Sequence, residues 1–424
     1  MGRTVRGNST PSLKPIQKIE LSEKNIKLRG ILVACLLVLG VVLIAQGVKG
    51  FFTTEAGWQA IEAKGKGASC SNEFVFLYNL GSNGVSATAE NKAIVTLYTE
   101  ATKNAYQLFH SRQSFEQVNN VYTINQHPNE VIVVDEALYK ALSLVQENAS
   151  RYLYLAPIYN RYDDIFYCDD DSQLVDFDPR LSEAVAEEYR AVAAYARDAA
   201  QIDLQLLGEN QVRLYVSEEY LQYAKENGIT DFIDFFWLKN AFIVDYLAEI
   251  MIAKGYTAGS ISSYDGFSRN LDKRTDTVYA FNIYDKVGQT AYTAAIMQYT
   301  GSKSIVYLRN YLMSSMDERQ YYELTNGEIR TPYIDMEDGV SKTAKNNLVA
   351  YSKTKSCAEI AMQVAPIYIA DAFEEEKLLG LQDADIYSVY CKESAICYNE
   401  KTLTLSDIYA GEAVTYTTDY VGDK

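Results

Sequence analysis

The hydropathy of the chain changes character twice. Residues 30–48 (GILVACLLVLGVVLIAQGV) form a run of nineteen without a charge, just long enough as a helix to cross a hydrocarbon core of about 30 Å. Arg3, Arg6, Lys14, Lys18, Lys24, Lys27 and Arg29 precede it against Glu20 and Glu23. That asymmetry predicts a cytoplasmic N-terminus and a body outside. A cleaved signal peptide is the alternative, but 29 residues make a long leader for one. Beyond the run the pattern is short and mixed. Residues 51–84, with one apolar patch at 74–78 (FVFLY), read as a stalk. Residues 93–98 (AIVTLY) read as a strand followed by a helix to about residue 115, and 131–134 (VIVV) as a strand. Asp135 caps a helix to about residue 147. Helical periodicity fills 179–205, and 212–228 pairs a strand with a helix closed by Gly228. Strands follow at 277–284, 303–309 and 348–351, then a helix at 356–373. Strands and helices without a steady βαβ rhythm predict an α+β fold. The Thr- and Tyr-containing end after residue 400 reads as an exposed strand or an arm.

Charge narrows the partners. The whole chain carries −17, and residues 1–50 hold eight basic and two acidic side chains, so the remainder carries −17 − 6 = −23. Such a body repels phosphate, which excludes a nucleic-acid-binding role. Five cysteines lie beyond the apolar run without CxxC spacing, which argues against zinc and redox motifs. Cys391 and Cys397 are spaced to pair across a hairpin. The acidic run 168–178 (CDDDSQLVDFD) lacks the alternating acids and central Gly of a calcium loop and reads as a solvated loop. His110 and His127, the only histidines, read as surface or packing residues.

Residues 233–245 (IDFFWLKNAFIVD) place three aromatics where a strand-to-helix turn ordinarily carries Gly, Ser, Asn or Asp. In register, this stretch resembles the LDLGGIAKGYAVD element of the FAD:protein FMN transferase (ApbE) family. Further segments agree in order: VYTIN at 121–125 with EISRIN, LAP at 155–157 with VGPL, SSMDERQYYE at 314–323 with TSGDYERYFE, TPYIDMEDG at 331–339 with SHIIDPRTG, and CAEIAM at 357–362 with ADALAT. The resemblance spans roughly residues 85–400. It implies a T-fold-like α+β flavin transferase domain outside the membrane, and an activity that cleaves FAD and, with Mg²⁺, attaches FMN to a Thr of a partner protein.

Carried over residue by residue, the resemblance splits. Asn125, Pro157, Asp234, Asp245, Ser315, Asp317, Asp335 and Gly339 match the family pattern. The two loop glycines correspond to Phe236 and Trp237, whose rings would fill the space that glycines leave for a ligand. The family Lys falls on Asn240, with Lys239 one residue away; the stacking Tyr falls on Phe115, one His on Pro332 and one Asp on Tyr152. These place the implied cofactor contacts at Phe115, Phe236, Trp237, Lys239, Asn240, Ser315 and Asp317. The implied magnesium ligands, an Asp and a Thr one helical turn apart, fall on Ala358 and Met362. A methyl and a thioether offer a hard divalent ion nothing. Glu359, the adjacent acid, points about 100° around the helix.

The organisation expected is therefore a cytoplasmic tail at 1–29, a membrane helix at 30–49, a stalk at 50–84, a transferase-like domain at 85–400 and a tail at 401–424. Three functions compete: a non-catalytic, membrane-tethered module that binds a protein partner or ligand; a working FAD-dependent, Mg²⁺-dependent transferase with ligands relocated to Glu359 or Asp317 and with Lys239 at the pyrophosphate; and a structural surface protein. A Tyr-rich surface, from 35 tyrosines, would suit the first.

Overall fold

The computed structural model describes residues 54–65, 69–82, 84–313, 317 and 320–423. The expected tail at 1–29 and membrane helix at 30–49 lie outside them, as does Ser315. Among the described residues no helix is long and apolar enough to cross a membrane.

A nine-stranded sheet organises the fold. Its strands run in the order Gly57–Ile61, Phe74–Leu80, Gly259–Ser263, Phe267–Asn270, Lys303–Arg309, Asn347–Ser352, Tyr387–Lys392, Ala395–Tyr398 and Thr417–Tyr420. Neighbours pair antiparallel except for the last two, which are parallel. The two central strands, Lys303–Arg309 and Asn347–Ser352, are buried along their whole length, because each feeds two cores by alternation. Val306, Leu308, Leu348 and Ala350 join the helical core; Ile305, Tyr307, Val349 and Tyr351 join a second, with Ile283, Ala295 and Met297. A smaller sheet of Val278–Val287, Thr290–Thr300 and Thr404–Ser406 supplies that second core. Helices Ala87–Leu108, Lys239–Ala253 and Cys357–Tyr368 build the first. A third sheet, of Val131–Val133, Gln211–Val216 and Ile202–Gly208, carries helices Glu136–Glu147 and Glu218–Asn227 in sequence beside it.

Several expectations change. Residues 93–98 are helical, inside Ala87–Leu108: despite the β-branched run, Ile94, Tyr98, Ala101, Ala105 and Leu108 are buried at helical spacing. The helix expected over 179–205 spans Glu183–Arg197, and Ile202–Gly208 is a strand. Residues 57–80, expected in a stalk, supply two strands of the main sheet, so the fold begins there. The segment after residue 400 contributes to both sheets, and Tyr416 donates to Asp285 at 3.0 Å in the second core. Cys391 and Cys397 are both free. Their hairpin register opposes Cys391 to Ile396 and Tyr390 to Cys397, which sends the two thiols to opposite faces. The tyrosines are core more than surface: ten of the twelve largest fully buried side chains among the described residues are Tyr.

The acids of 168–178 are committed to local structure. Asp170 caps the short turn Asp171–Asp176, Asp171 accepts from the backbone and hydroxyl of Thr325, and Asp178 is buried against Arg330. Matching positions act as scaffold. Gly339 has φ +74°, and a Cβ there would sit 2.8 Å from that of Tyr189. Asn125, fully buried, accepts from Phe232 N–H at 3.0 Å and Ile233 N–H at 2.9 Å and donates to Ile233 C=O at 2.9 Å. It thereby fixes the chain entering the aromatic turn at 234–237. Asn125→Ala strands two amides and a carbonyl, and should cost about 3 kcal/mol or more in urea denaturation; a loss below about 1 kcal/mol would contradict this reading.

Candidate functional site

The aromatic turn is built by one carboxylate. Asp234, 6% exposed, accepts the Ser111 hydroxyl at 2.6 Å on Oδ2 and the Phe236 N–H at 2.8 Å on Oδ1. The second bond bends the backbone so that Phe236 sits at φ +43°, a left-handed conformation that costs a bulky residue about 1–3 kcal/mol. This is a glycine's geometry carried by a phenylalanine. The ring compensates by stacking on Tyr159, centroids 4.4 Å apart. Trp237 is buried with its edge toward Tyr152 at 5.9 Å and Tyr333 at 5.4 Å. Helix Lys239–Ala253 then begins, and its first residues face the same space.

That space is a cavity of about 780 Å³, within the range of small-molecule sites, and it is open. Phe236 and Trp237 were expected to fill it; they line it, because one ring leans on Tyr159 and the other between Tyr152 and Tyr333. Lys239, Asn240, Asp234 and Pro332 line it too. Phe115 does not line it, but packs against His110 and Tyr106, which do, at ring distances of 5.7 and 5.8 Å. His110, expected as a bland packing residue, is therefore part of the wall. Burial, with Lys239 nearby, lowers its pKa.

Asp317 stands apart. It is 2% exposed, pairs with buried Arg309 and accepts the Met313 N–H at 2.8 Å, so it lies off the cavity and is held by a cation of its own. Arg309 is also packed between the rings of Tyr307 and Tyr321.

Ala358 and Met362 lie in the buried helix Cys357–Tyr368, also off the cavity wall. The amides of its first turn are taken: Asp245 accepts Cys357 N–H at 3.0 Å and Ala358 N–H at 2.8 Å, and pairs with Arg269 at 2.9 Å. Glu359 is the N3 partner of a capping box, accepting Ser356 N–H at 2.9 Å, and meets Lys355 at 3.2 Å. Among the described residues no three His, Cys, Asp or Glu side chains converge as ligands. The magnesium ion that the family resemblance implies does not fit this donor set.

Sequence reasoning missed the acids of the cavity. Glu73, from the supposed stalk, and Asp265, from the turn after Gly259–Ser263, both accept from Asn240 Nδ2, at 3.1 and 2.9 Å. Asp163 and Cys70 join the wall, with Arg112 3.6 Å from Asp163. No local motif marks these positions; only the sheet order brings residue 73 beside residue 265. Burial pushes the Asp265 carboxyl up to about 6, with help from the charge of Glu73 and against hydrogen bonds from Ser263 and Asn240 and the charge of Lys239. Burial and Glu73 likewise raise the Cys70 thiol.

No protein-family model matches the chain, and no curated protein matches it in sequence. Solved structures do match. The ApbE protein of Thermotoga maritima aligns with TM-score 0.54 at 11% identity, over 83% of this chain and 97% of its own. The flavin transferase ApbE of Vibrio cholerae aligns with TM-score 0.51 at 13% identity, over the same shares. The fold expected from the ordered motifs is the fold found.

Because the folded-state pKa of Asp265 lies above its unfolded value near 3.8, the native state holds the extra proton between those pH values. Stability should therefore fall by roughly 1–3 kcal/mol as pH rises from about 4 through 6. Thermal melting of Asp265→Asn across pH 4–7 should lack that loss, so its gap to the wild type widens with pH. Parallel profiles would refute the assignment.

Proposed function

We propose, proceeding from the ApbE fold of this chain, that it is a flavin-transferase-like protein that has given up the transfer reaction and works by binding. The proposal places its fold outside the cytoplasm, tethered by the apolar residues 30–49. One observation carries the loss of chemistry: the turn where the resemblance puts the magnesium ligands bears Ala358 and Met362, and its free amides are already bound by Asp245. The two acids to which the ligands could be relocated are committed elsewhere, Glu359 to a helix cap and Asp317 to Arg309. Transfer of FMN requires neutralising charge that develops on phosphate. Supplying an oxygen-ligand set here would mean breaking a cap or a buried ion pair, the latter at about 3–5 kcal/mol.

Binding is supported by the cavity itself. Its walls include Tyr106, Phe109, Phe166, Trp237, Phe267 and Tyr333, flat apolar surfaces suited to an aromatic ligand body. They fit a flavin ring. The diphosphate of FAD fits less well, since Glu73, Asp163, Asp234 and Asp265 outnumber Lys239 and Arg112 along the same wall. Lys239, whose ammonium makes no ion pair among the described residues, is the one feature that favours the active alternative with Lys239 at the pyrophosphate. A protein partner remains the natural reader of a tethered binding module.

The deciding assay mixes the full chain in detergent with FAD, Mg²⁺ and an acceptor carrying a flavinylation threonine, followed by in-gel flavin fluorescence. The expected result is no band above the control without the protein. A Mg²⁺-dependent fluorescent acceptor band would establish the transferase instead.

A further inference from the structure

We propose that the inner wall of the cavity around Glu73, Asp265 and Asn240 recognises a positively charged nitrogen, so that the ligand is an aromatic or apolar body bearing a protonated amine. The inference deepens the binding reading above and rests on it.

The geometry starts from one amide. Asn240 is 95% buried, and its Nδ2 donates to both Glu73 Oε2 at 3.1 Å and Asp265 Oδ2 at 2.9 Å. Those two oxygens therefore lie no more than 3.1 + 2.9 = 6.0 Å apart. Neither carboxylate has a cation within ion-pairing distance among the described residues. By contrast, the other two acids of the wall are provided for: Asp163 faces Arg112, and Asp234 is bonded by Ser111 and Phe236. Lys239 lies close enough to influence Asp265, yet forms no ion pair with it.

A second, independent observation concerns the acceptors. With Nδ2 fixed by two carboxylates, the Asn240 amide cannot be flipped, and its Oδ1 is shielded from solvent without a donor. Asp265 Oδ1 is shielded too, with the Ser263 hydroxyl as a neutral donor near that carboxyl and no cation paired to it among the described residues. Buried acceptors without donors are costly and uncommon. Two carboxylates joined by one amide N–H group and without a paired cation, beside an amide oxygen without a donor, lack a group that donates several hydrogen bonds and carries positive charge. An ammonium does both. The aromatic rings lining the same cavity add favourable faces for a cation, whereas an anion is repelled by the pair of acids and a neutral hydroxyl offers them one donor and no charge.

Trp237 lines the cavity, and the chain has one other tryptophan, Trp58, which is on an edge strand of the main sheet and does not line it. In a Trp58→Phe background, full-length protein in detergent is titrated by tryptophan fluorescence with 2-phenylethylamine, with its neutral isostere 2-phenylethanol, and with FAD. The amine should give a saturable change at an affinity at least about tenfold above the alcohol, as expected for a charge-assisted hydrogen bond. Glu73→Gln, at an exposed position where folding is not at risk, and Asp265→Asn should each weaken the amine about tenfold and leave the alcohol unchanged. Equal affinity for amine and alcohol, or indifference of the amine to Glu73→Gln, would overturn the inference. Saturable FAD binding with a silent amine would overturn it while leaving the cavity a binding site. Silence of all three probes would remove both readings.

Discussion

The carboxylate of Asp245 is the constraint on which this architecture turns. It projects from helix Lys239–Ala253, accepts the first two amides of helix Cys357–Tyr368, and pairs with Arg269 on strand Phe267–Asn270. Three elements from distant parts of the chain meet at one buried acid, 7% exposed. The helix macrodipole and the guanidinium both favour its charge, and removing either partner would leave an uncompensated carboxylate, at about 3–5 kcal/mol. The same bonds orient the turn carrying Ala358 and Met362. The acid that sets this scaffold is therefore a different residue from those on which the resemblance places metal chemistry, and its role is mechanical.

The aromatic turn obeys a comparable balance. A left-handed phenylalanine costs about 1–3 kcal/mol, against the burial of a ring, worth about 1.5–3 kcal/mol, and a stacked pair worth about 0.5–1.5 kcal/mol more. Phe236 recovers these on Tyr159, while the Asp234–Phe236 bond holds the backbone in place. Glycine geometry has been kept and its empty space relined with rings. The outcome is an open cavity whose walls are more aromatic and more acidic than a diphosphate requires. The fold and the proposed absence of transfer chemistry are then compatible, since they rest on different residues.

Much of the fold was legible wherever local and tertiary preferences agree. Asp135 caps its helix by accepting Ala137 N–H, and Gly228 closes another at φ +68°, as their residue types foretell. Residues 93–98 misled because β-branched side chains also suit a helix that buries one stripe. Residues 57–80 misled because strand Gly57–Ile61 pairs only with Phe74–Leu80, and that strand meets the rest of the sheet through a partner some 180 residues away. The site was half legible. Phe236, Trp237, Lys239 and Asn240 converge because one turn carries them, whereas Glu73 and Asp265 join them only through antiparallel pairing of Phe74–Leu80 with Gly259–Ser263. Asp317 satisfied the motif register yet faces Arg309, since register specifies position along the chain and not the direction of a side chain.

The most direct test of the central claim is an equilibrium titration of the full chain with Mn²⁺ as a spectroscopic stand-in for Mg²⁺, with FAD present, following the free-ion signal by electron paramagnetic resonance. The claim predicts that the protein removes no more Mn²⁺ than FAD alone, apart from weak, salt-sensitive association with an acidic surface. One tight, stoichiometric site that resists salt would contradict it, and would mean that oxygen ligands assemble at the Ala358–Met362 turn when nucleotide is bound.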